Sequence, residues 1–212
     1  MRENSVKKII YDKICEMPYG KAFVISDFSG VAEYDTLKQN FKRLTDENKI
    51  LRVLPGIYYR PKYSSLLNEY SMVSIDEVAA AIARNNNWSI VPTGETALNM
   101  LGLSTQVPSK YEFISNGPYR TYDVDGIKLN FIHRTTKQIS NYSYLTALLI
   151  QAIKTVGDKN MSDKHIEILR SRLNADDKTR ILEEGRATTN WIYKYIKQIC
   201  SEESNEKHSI TA

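Results

Sequence analysis

The segment FKRLTDENKILRVLPGIYYRP, residues 41–61, runs from a basic helical pattern straight into a tight apolar hairpin. Residues 50–54 alternate as a strand, Pro55-Gly56 supplies a turn, residues 57–59 return, and Pro61 ends the pattern. A two-stranded hairpin of this size is marginal at best in water, so it must lie against something else. That requirement constrains the fold more than any other feature of the chain. The helices before it are the available support, and a hairpin placed behind them is the wing of a winged helix-turn-helix.

The upstream pattern agrees. Val6, Ile9, Ile10, Ile14 and Met17 recur at helical spacing. Asn4 or Ser5 is expected as N-cap, and Cys15 is expected on the core face. MPYG stops this helix. Phe23-Val24-Ile25 reads as a short strand, with Ser26 capping a very short helix through Phe28 and Gly30 as punctuation. Asp35 is then expected to cap a longer helix with Leu37, Phe41, Leu44 and Asn48 on its inner stripe. Two helices joined by a tight turn containing Gly form the helix-turn-helix arrangement.

Charge supports a polyanionic partner for this region. Residues 1–62 hold 12 Lys and Arg against 8 acids, while the rest of the chain carries 17 of each sign. The whole net charge of +4 therefore lies in the first third. Clustered basic residues are a footprint of phosphate binding, although a solvated helix face has the same appearance. In a helix-turn-helix the second helix enters the major groove. The side chains expected to reach it are Thr36, Lys38, Gln39 and Lys42, with Arg43 more lateral. Gln can bond adenine twice, and Lys and Arg suit guanine or phosphate. Arg52, Arg60 and Lys62 bracket the hairpin and are expected at backbone phosphates or a minor groove. Tyr58 and Tyr59 point to opposite faces, one inward and one available to sugar-phosphate.

The remaining 150 residues read as a second, mixed domain. KYSSLLNEYS reads as a linker, and SIDEVAAAIARNNN as a helix capped by Ser74. WSIVPTG reads as strand and turn, and ETALNMLG as a short helix closed by Gly102. YEFIS, YRTYDV and IKLNFIHR are strands separated by Asn-Gly and Asp-Gly, both hairpin signals. Helices follow to the end, beginning with the strongly apolar YLTALLIQAI, and the polar SEESNEKHSITA is expected to fray.

Catalytic and metal chemistry find no support. Asp123-x-Asp125 could suggest paired metal carboxylates, but Asp125-Gly126 is a ready hairpin turn. PTGETAL lacks the spacing of a phosphate loop. His133, His165 and His208 are isolated, and the two cysteines form no CxxC. They read as reduced structural thiols of a cytoplasmic protein. MRENSVKKII lacks the apolar core of a signal peptide, and no apolar run approaches a membrane span of about 20 residues. No catalytic residue, metal, cofactor or membrane partner is expected.

Two stretches carry a family resemblance. GIYYRP at Gly56–Pro61 and TALNMLGLSTQVP at Thr96–Pro108 resemble blocks of the AbiEi-type antitoxins, regulators in abortive-infection toxin–antitoxin pairs. The resemblance covers roughly residues 5–200 and is loosest at NYSYLTALLIQAI. It implies a winged helix that binds inverted repeats in its own promoter. It also implies a C-terminal domain needed for antitoxicity, and a partner gene encoding a nucleotidyltransferase toxin that the antitoxin need not touch. Residue by residue, the second block reads as packing: Ala97, Leu98, Leu101 and Leu103 in a core, and Gly102 at a helix end.

The expectation is therefore an α+β protein: a winged helix-turn-helix over residues 1–62, then a mixed domain over 63–200 with a small antiparallel sheet and a helical C-terminal region, and a flexible tail over 201–212. Its expected function is sequence-specific binding of double-stranded DNA as antitoxin and autorepressor. The rivals are a protein-interaction adaptor that uses the winged helix to hold a protein partner, and a nucleic-acid-processing enzyme.

Overall fold

The structure, a computed structural model, describes residues 2–66, 68–135, 139 and 141–201. It is an α+β chain with a wing-bearing helix-turn-helix at its N-terminus, a mixed sheet region and a C-terminal helical bundle. The described residues divide into two compact units. The first holds the described residues of 1–90 and 121–129, and the second those of 91–120 and 130–201. The tail beyond residue 201 lies outside the described residues.

In the first unit, α1 spans Arg2–Glu16, and the side chains of Asn4 and Ser5, expected at its cap, lie outside the described residues. Its inner face is Ile10 and Ile14, both fully buried, and Cys15, expected beside them, is exposed instead. The strand β1 (Ala22–Val24) follows, then a 3-10 turn over Ile25–Phe28. Ser26 does not cap that turn; the Asp27 carboxylate does the capping work, accepting from the Val24 N–H at 3.0 Å. The second helix, α2 (Tyr34–Asp46), starts from Glu33, which places Asp35 in the first turn rather than at the cap. There its charge opposes the positive end of the helix dipole. The buried stripe is Leu37, Asn40, Phe41 and Leu44. Asn48, expected in that stripe, is exposed and left-handed (φ 54°), and the chain turns there as the Lys49 N–H donates to the Leu44 carbonyl at 2.9 Å. Asn tolerates this conformation better than most residues.

The strands β2 (Leu51–Leu54) and β3 (Ile57–Tyr59) form the wing, with Gly56 at φ +83° in its turn. β1 adds to β3, giving an antiparallel three-stranded sheet in the order β1-β3-β2. The wing therefore rests on a sheet as well as on helices, which answers its stability problem. Phe23, Phe28 and Phe41 pack edge-to-face with centroids 5.3–6.0 Å apart at the centre of this core. Such pairs add about 0.5–1.5 kcal/mol beyond their area burial.

The stretch expected as a linker contains a second small hairpin, β4 (Tyr63–Ser64) with β5 (Glu69–Tyr70), joined by edge-to-face packing of Tyr63 on Tyr70. The helix α3 (Ile75–Asn86) has Ser74 as its cap, and Ile75, Val78, Ala79 and Ile82 are buried as their spacing predicts.

Beyond it lie β6 (Ile90–Pro92), α4 (Gly94–Met100), β7 (Lys110–Ser115), β8 (Arg120–Val124) and β9 (Ile127–His133). The Asp125-Gly126 turn has positive φ at both residues, 50° and 84°, the requirement of a type I′ hairpin. The Asn116-Gly117 signal does not deliver its hairpin. The sheet order is β6-β7-β9-β8, so β7 pairs with β9 and not with β8. Neither Asn116 nor Gly117 has positive φ. Their segment is instead tied to the end of β9, where Arg134 N–H donates to the Ser115 carbonyl and His133 Nδ1 to the Gly117 carbonyl, each at 2.8 Å.

The bundle of the second unit consists of α5 (Tyr144–Val156), α6 (Asp163–Ser171), α7 (Ala175–Gly185) and α8 (Asn190–Cys200). Residues 146–153 of α5 are all buried, in keeping with its apolar sequence. Ser162 caps α6, accepting from the His165 N–H, and Asn174 caps α7. Leu101 is in this unit's core, with Leu98 and Leu103 packed against it, and Gly102 turns with φ +71° beside the Arg172 guanidinium. The TALNMLGLSTQVP block is thus a packing element. Cys200 is buried, and burial pushes its thiol up to about 11.

Candidate nucleic-acid interface

The helical period decides what α2 shows to solvent. With Leu37, Asn40, Phe41 and Leu44 inward, residues 35, 38, 39, 42 and 46 face outward, and all five are exposed. The wing supplies the facing wall. In the β2–β3 register Arg52 stands opposite Tyr58, so the two side chains share a face of the sheet. The ladder shifts between Arg52 and Leu54, and the Arg52 Nε donates to the Leu54 carbonyl at 3.3 Å across that irregularity. Tyr58 is half-buried, its ring edge-on to Phe41 at 5.1 Å, which anchors it to the core. Tyr59 is the inward tyrosine, and burial raises its phenol above the ordinary range.

Between helix and wing lies an open concavity of about 670 Å³. Lys38, Gln39 and Lys42 line one side, and Arg52 and Tyr58 the other. Asp35, Thr45 and Asp46 complete the lining. Among the described residues, neither lysine is engaged in an ion pair, and neither aspartate is. Glu47, next to Asp46, is neutralised outside the groove. Glu47 sits 2.6 Å from Lys7 Nζ and 2.8 Å from Lys49 Nζ, and bonds from Lys49 and then Lys7 hold its carboxyl down to about 2.

The other expected contacts are placed differently. Thr36 is half-buried at the start of α2, where its carbonyl accepts from Asn40 Nδ2 at 2.8 Å. Arg43 is exposed but outside the groove lining. Arg60 stands apart from the groove, with Nη2 donating to the Met17 carbonyl at 2.8 Å and the guanidinium 3.9 Å over the Tyr19 ring. Lys62 is exposed at the foot of the β4–β5 hairpin, where its backbone N–H donates to Ser71 Oγ. The groove residues absent from the sequence-based set are Asp35, Thr45 and Asp46. Asp46 shares the outer face of Lys38, Gln39 and Lys42 already in the sequence, and the spacing 35, 38, 42, 46 was the signal that could have added Asp35 to that face.

Asp123 serves its turn: it accepts from the Gly126 N–H and from Lys128 Nζ, both at 2.8 Å, and the Lys128 bond with the backbone bond holds its carboxyl below the usual range. Among the described residues, no group of three or more His, Cys, Asp or Glu could hold a metal ion, and no helix is long and apolar enough to cross a membrane.

Of solved structures, the chain is similar to the RV2827C protein from Mycobacterium tuberculosis at 10% identity, with a TM-score of 0.43, over 92% of this chain and 76% of that one. No curated protein matches it. The model of a family of unknown function, DUF6088, matches residues 9–181, and the chain belongs to that family.

Proposed function

We propose that the chain is a sequence-specific DNA-binding regulator whose α2 enters the major groove of a duplex while the wing flanks it. One observation carries this reading: the outer face of α2 and the wing converge on a groove bearing Lys38, Lys42 and Arg52 together with Gln39 and Tyr58. Gln39 presents both donor and acceptor to a base edge, and the three cations suit guanine or phosphate. Arg43 and Thr36 extend the same helix face. Lys62 lies outside the groove, where it would meet more distant phosphates, and Arg60 is engaged with Met17 and Tyr19.

The finer reading is an antitoxin that represses its own toxin–antitoxin operon by occupying inverted repeats in the promoter. It rests on the resemblance of GIYYRP and TALNMLGLSTQVP to the AbiEi-type antitoxins. In that reading the cognate nucleotidyltransferase toxin is a functional partner, direct contact is not required, and the protein works in the cytoplasm without cofactor or catalysis.

A gel shift on the intergenic DNA upstream of the gene, with unrelated duplex as competitor, tests the proposal. Saturable binding that resists the competitor is the expected result. Asp35 and Asp46 at the groove favour a second reading, in which the groove holds a basic segment of a protein partner. That reading predicts no shift, and retention of the partner instead.

A further inference from the structure

The two aspartates of the groove are at odds with a surface that only holds phosphates. A carboxylate repels phosphate oxygens over a Debye length of about 8 Å at physiological salt. Neither acid is needed to pair a lysine, since among the described residues Asp35, Lys38, Lys42 and Asp46 are in no ion pair. The two differ in position. They are 11 residues apart on α2, which at a rise of 1.5 Å per residue places them about 16 Å apart along the axis. Asp35 is in the first turn, and Asp46 is the last helical residue.

In a helix-turn-helix, side chains near the N-terminal end of the second helix reach the base edges. A carboxylate there is acceptor-only and must meet a donor. The major-groove donors are the cytosine and adenine amino groups, and adenine sets an N7 acceptor beside its own. Cytosine N4 is therefore the fitting partner. Lys38, three residues on and on the same face, can donate to O6 and N7 of the guanine paired with that cytosine. The acid and the base together would read both edges of one C·G pair.

We infer that Asp35 is a specificity-determining residue that selects a C·G base pair, whereas Asp46 only lowers affinity for any duplex. This inference rests on the DNA-binding reading above. The test compares full-length Asp35→Asn and Asp46→Asn. Each removes one negative charge from the same groove without changing size, so their general electrostatic effects are matched. Duplexes selected from a randomised pool are sequenced, and affinities for selected and unrelated DNA are measured at one salt concentration.

Both variants should bind unrelated DNA more tightly by a similar factor. Asp35→Asn should lose about tenfold in the ratio of selected to unrelated affinity and stop enriching C·G at one position. Asp46→Asn should enrich the wild-type sequence. The ratio does not depend on the active fraction of either preparation, so partial misfolding cannot imitate the effect. If Asp35→Asn enriches the wild-type sequence with an unchanged ratio, its acid serves only the helix dipole and the inference is overturned. If both variants change the ratio equally, it is overturned too. A wild-type chain that binds no duplex overturns the DNA-binding reading, and this inference with it.

Discussion

Glu77 Oε2 accepts a hydrogen bond from the Ala22 N–H at 3.3 Å, across 55 residues of sequence. Arg84 Nη2, two turns further along α3, donates to the Ala22 carbonyl at 2.8 Å and approaches Asp27 Oδ2 at 3.3 Å. Ala22 belongs to β1, one of the two edge strands of the three-stranded sheet. Two side chains of α3 thus close a backbone edge that would otherwise be open to another strand. The Glu77 carboxylate is held in place by Lys21 Nζ at 3.0 Å. The helix is part of the winged module for a physical reason, in keeping with a first unit that extends to residue 90.

Glu77→Ala and Arg84→Ala should each destabilise the chain by about 1–2 kcal/mol, because each leaves a strand-edge group without its partner. Urea unfolding with an unchanged m-value checks this. A loss below about 0.3 kcal/mol would mean that water replaces these bonds freely.

Lys42→Ala should weaken binding to specific and unrelated DNA alike and reduce the slope of log K against log salt by about one. Gln39→Ala should instead lower the preference for the operator and leave unrelated duplex nearly unaffected. Fluorescence anisotropy across a salt series separates the two. A Lys42 variant with the wild-type slope has lost no phosphate contact.

Arg60→Ala should act on stability. The substitution leaves the Met17 carbonyl without its side-chain donor and removes the packing over Tyr19. The expected cost is about 1–3 kcal/mol in thermal or urea unfolding, with the salt slope of DNA binding retained. A fully stable variant with a reduced slope would return Arg60 to the set of phosphate contacts.

Glu184 makes the second unit sensitive to acid. Burial pushes its carboxyl up, but bonds from Thr146, the Ser143 N–H and the Ser143 hydroxyl, with the Arg180 charge, outweigh burial and hold it below the usual glutamate range. The Ser143 donors both lie 2.9 Å from Oε2, so Glu184 serves as a remote cap for α5. A carboxyl depressed on folding stabilises fully above its unfolded pKa, and that contribution is lost as pH falls through the lower folded value. Glu184→Gln should therefore be less stable than wild type near neutrality, with the gap closing in acid. A gap that is constant with pH would show that the carboxylate's charge does not matter.

Much of the fold was legible where the signal is local. The stripe Leu37–Phe41–Leu44, the Ser74 cap and the Asp125-Gly126 turn each depend on residues within one or two helical turns, and all three are in place. The same locality explains the groove: exposed Lys38, Gln39 and Lys42 follow from the inward residues of their own helix. Tyr58 needed the register of β3, and the choice between it and its neighbour stayed open until the strand's buried face was known. Cys15 was misplaced because helical spacing defines a face only to within a residue, and Ile14 occupies the inner position.

By itself, the sequence determined the basic amphipathic second helix, the turn-bearing wing behind it and the apolar C-terminal bundle, because hydrophobic period and turn chemistry act over a few residues. Tertiary structure alone decided that β9 separates β7 from β8, that Arg60 is spent on Met17 and Tyr19, and that Glu77 closes the edge at Ala22. Each of those outcomes depends on partners brought together from distant parts of the chain or on competition between strands for one edge. Such choices are made by the free energy of the whole packed unit, and no local pattern encodes them.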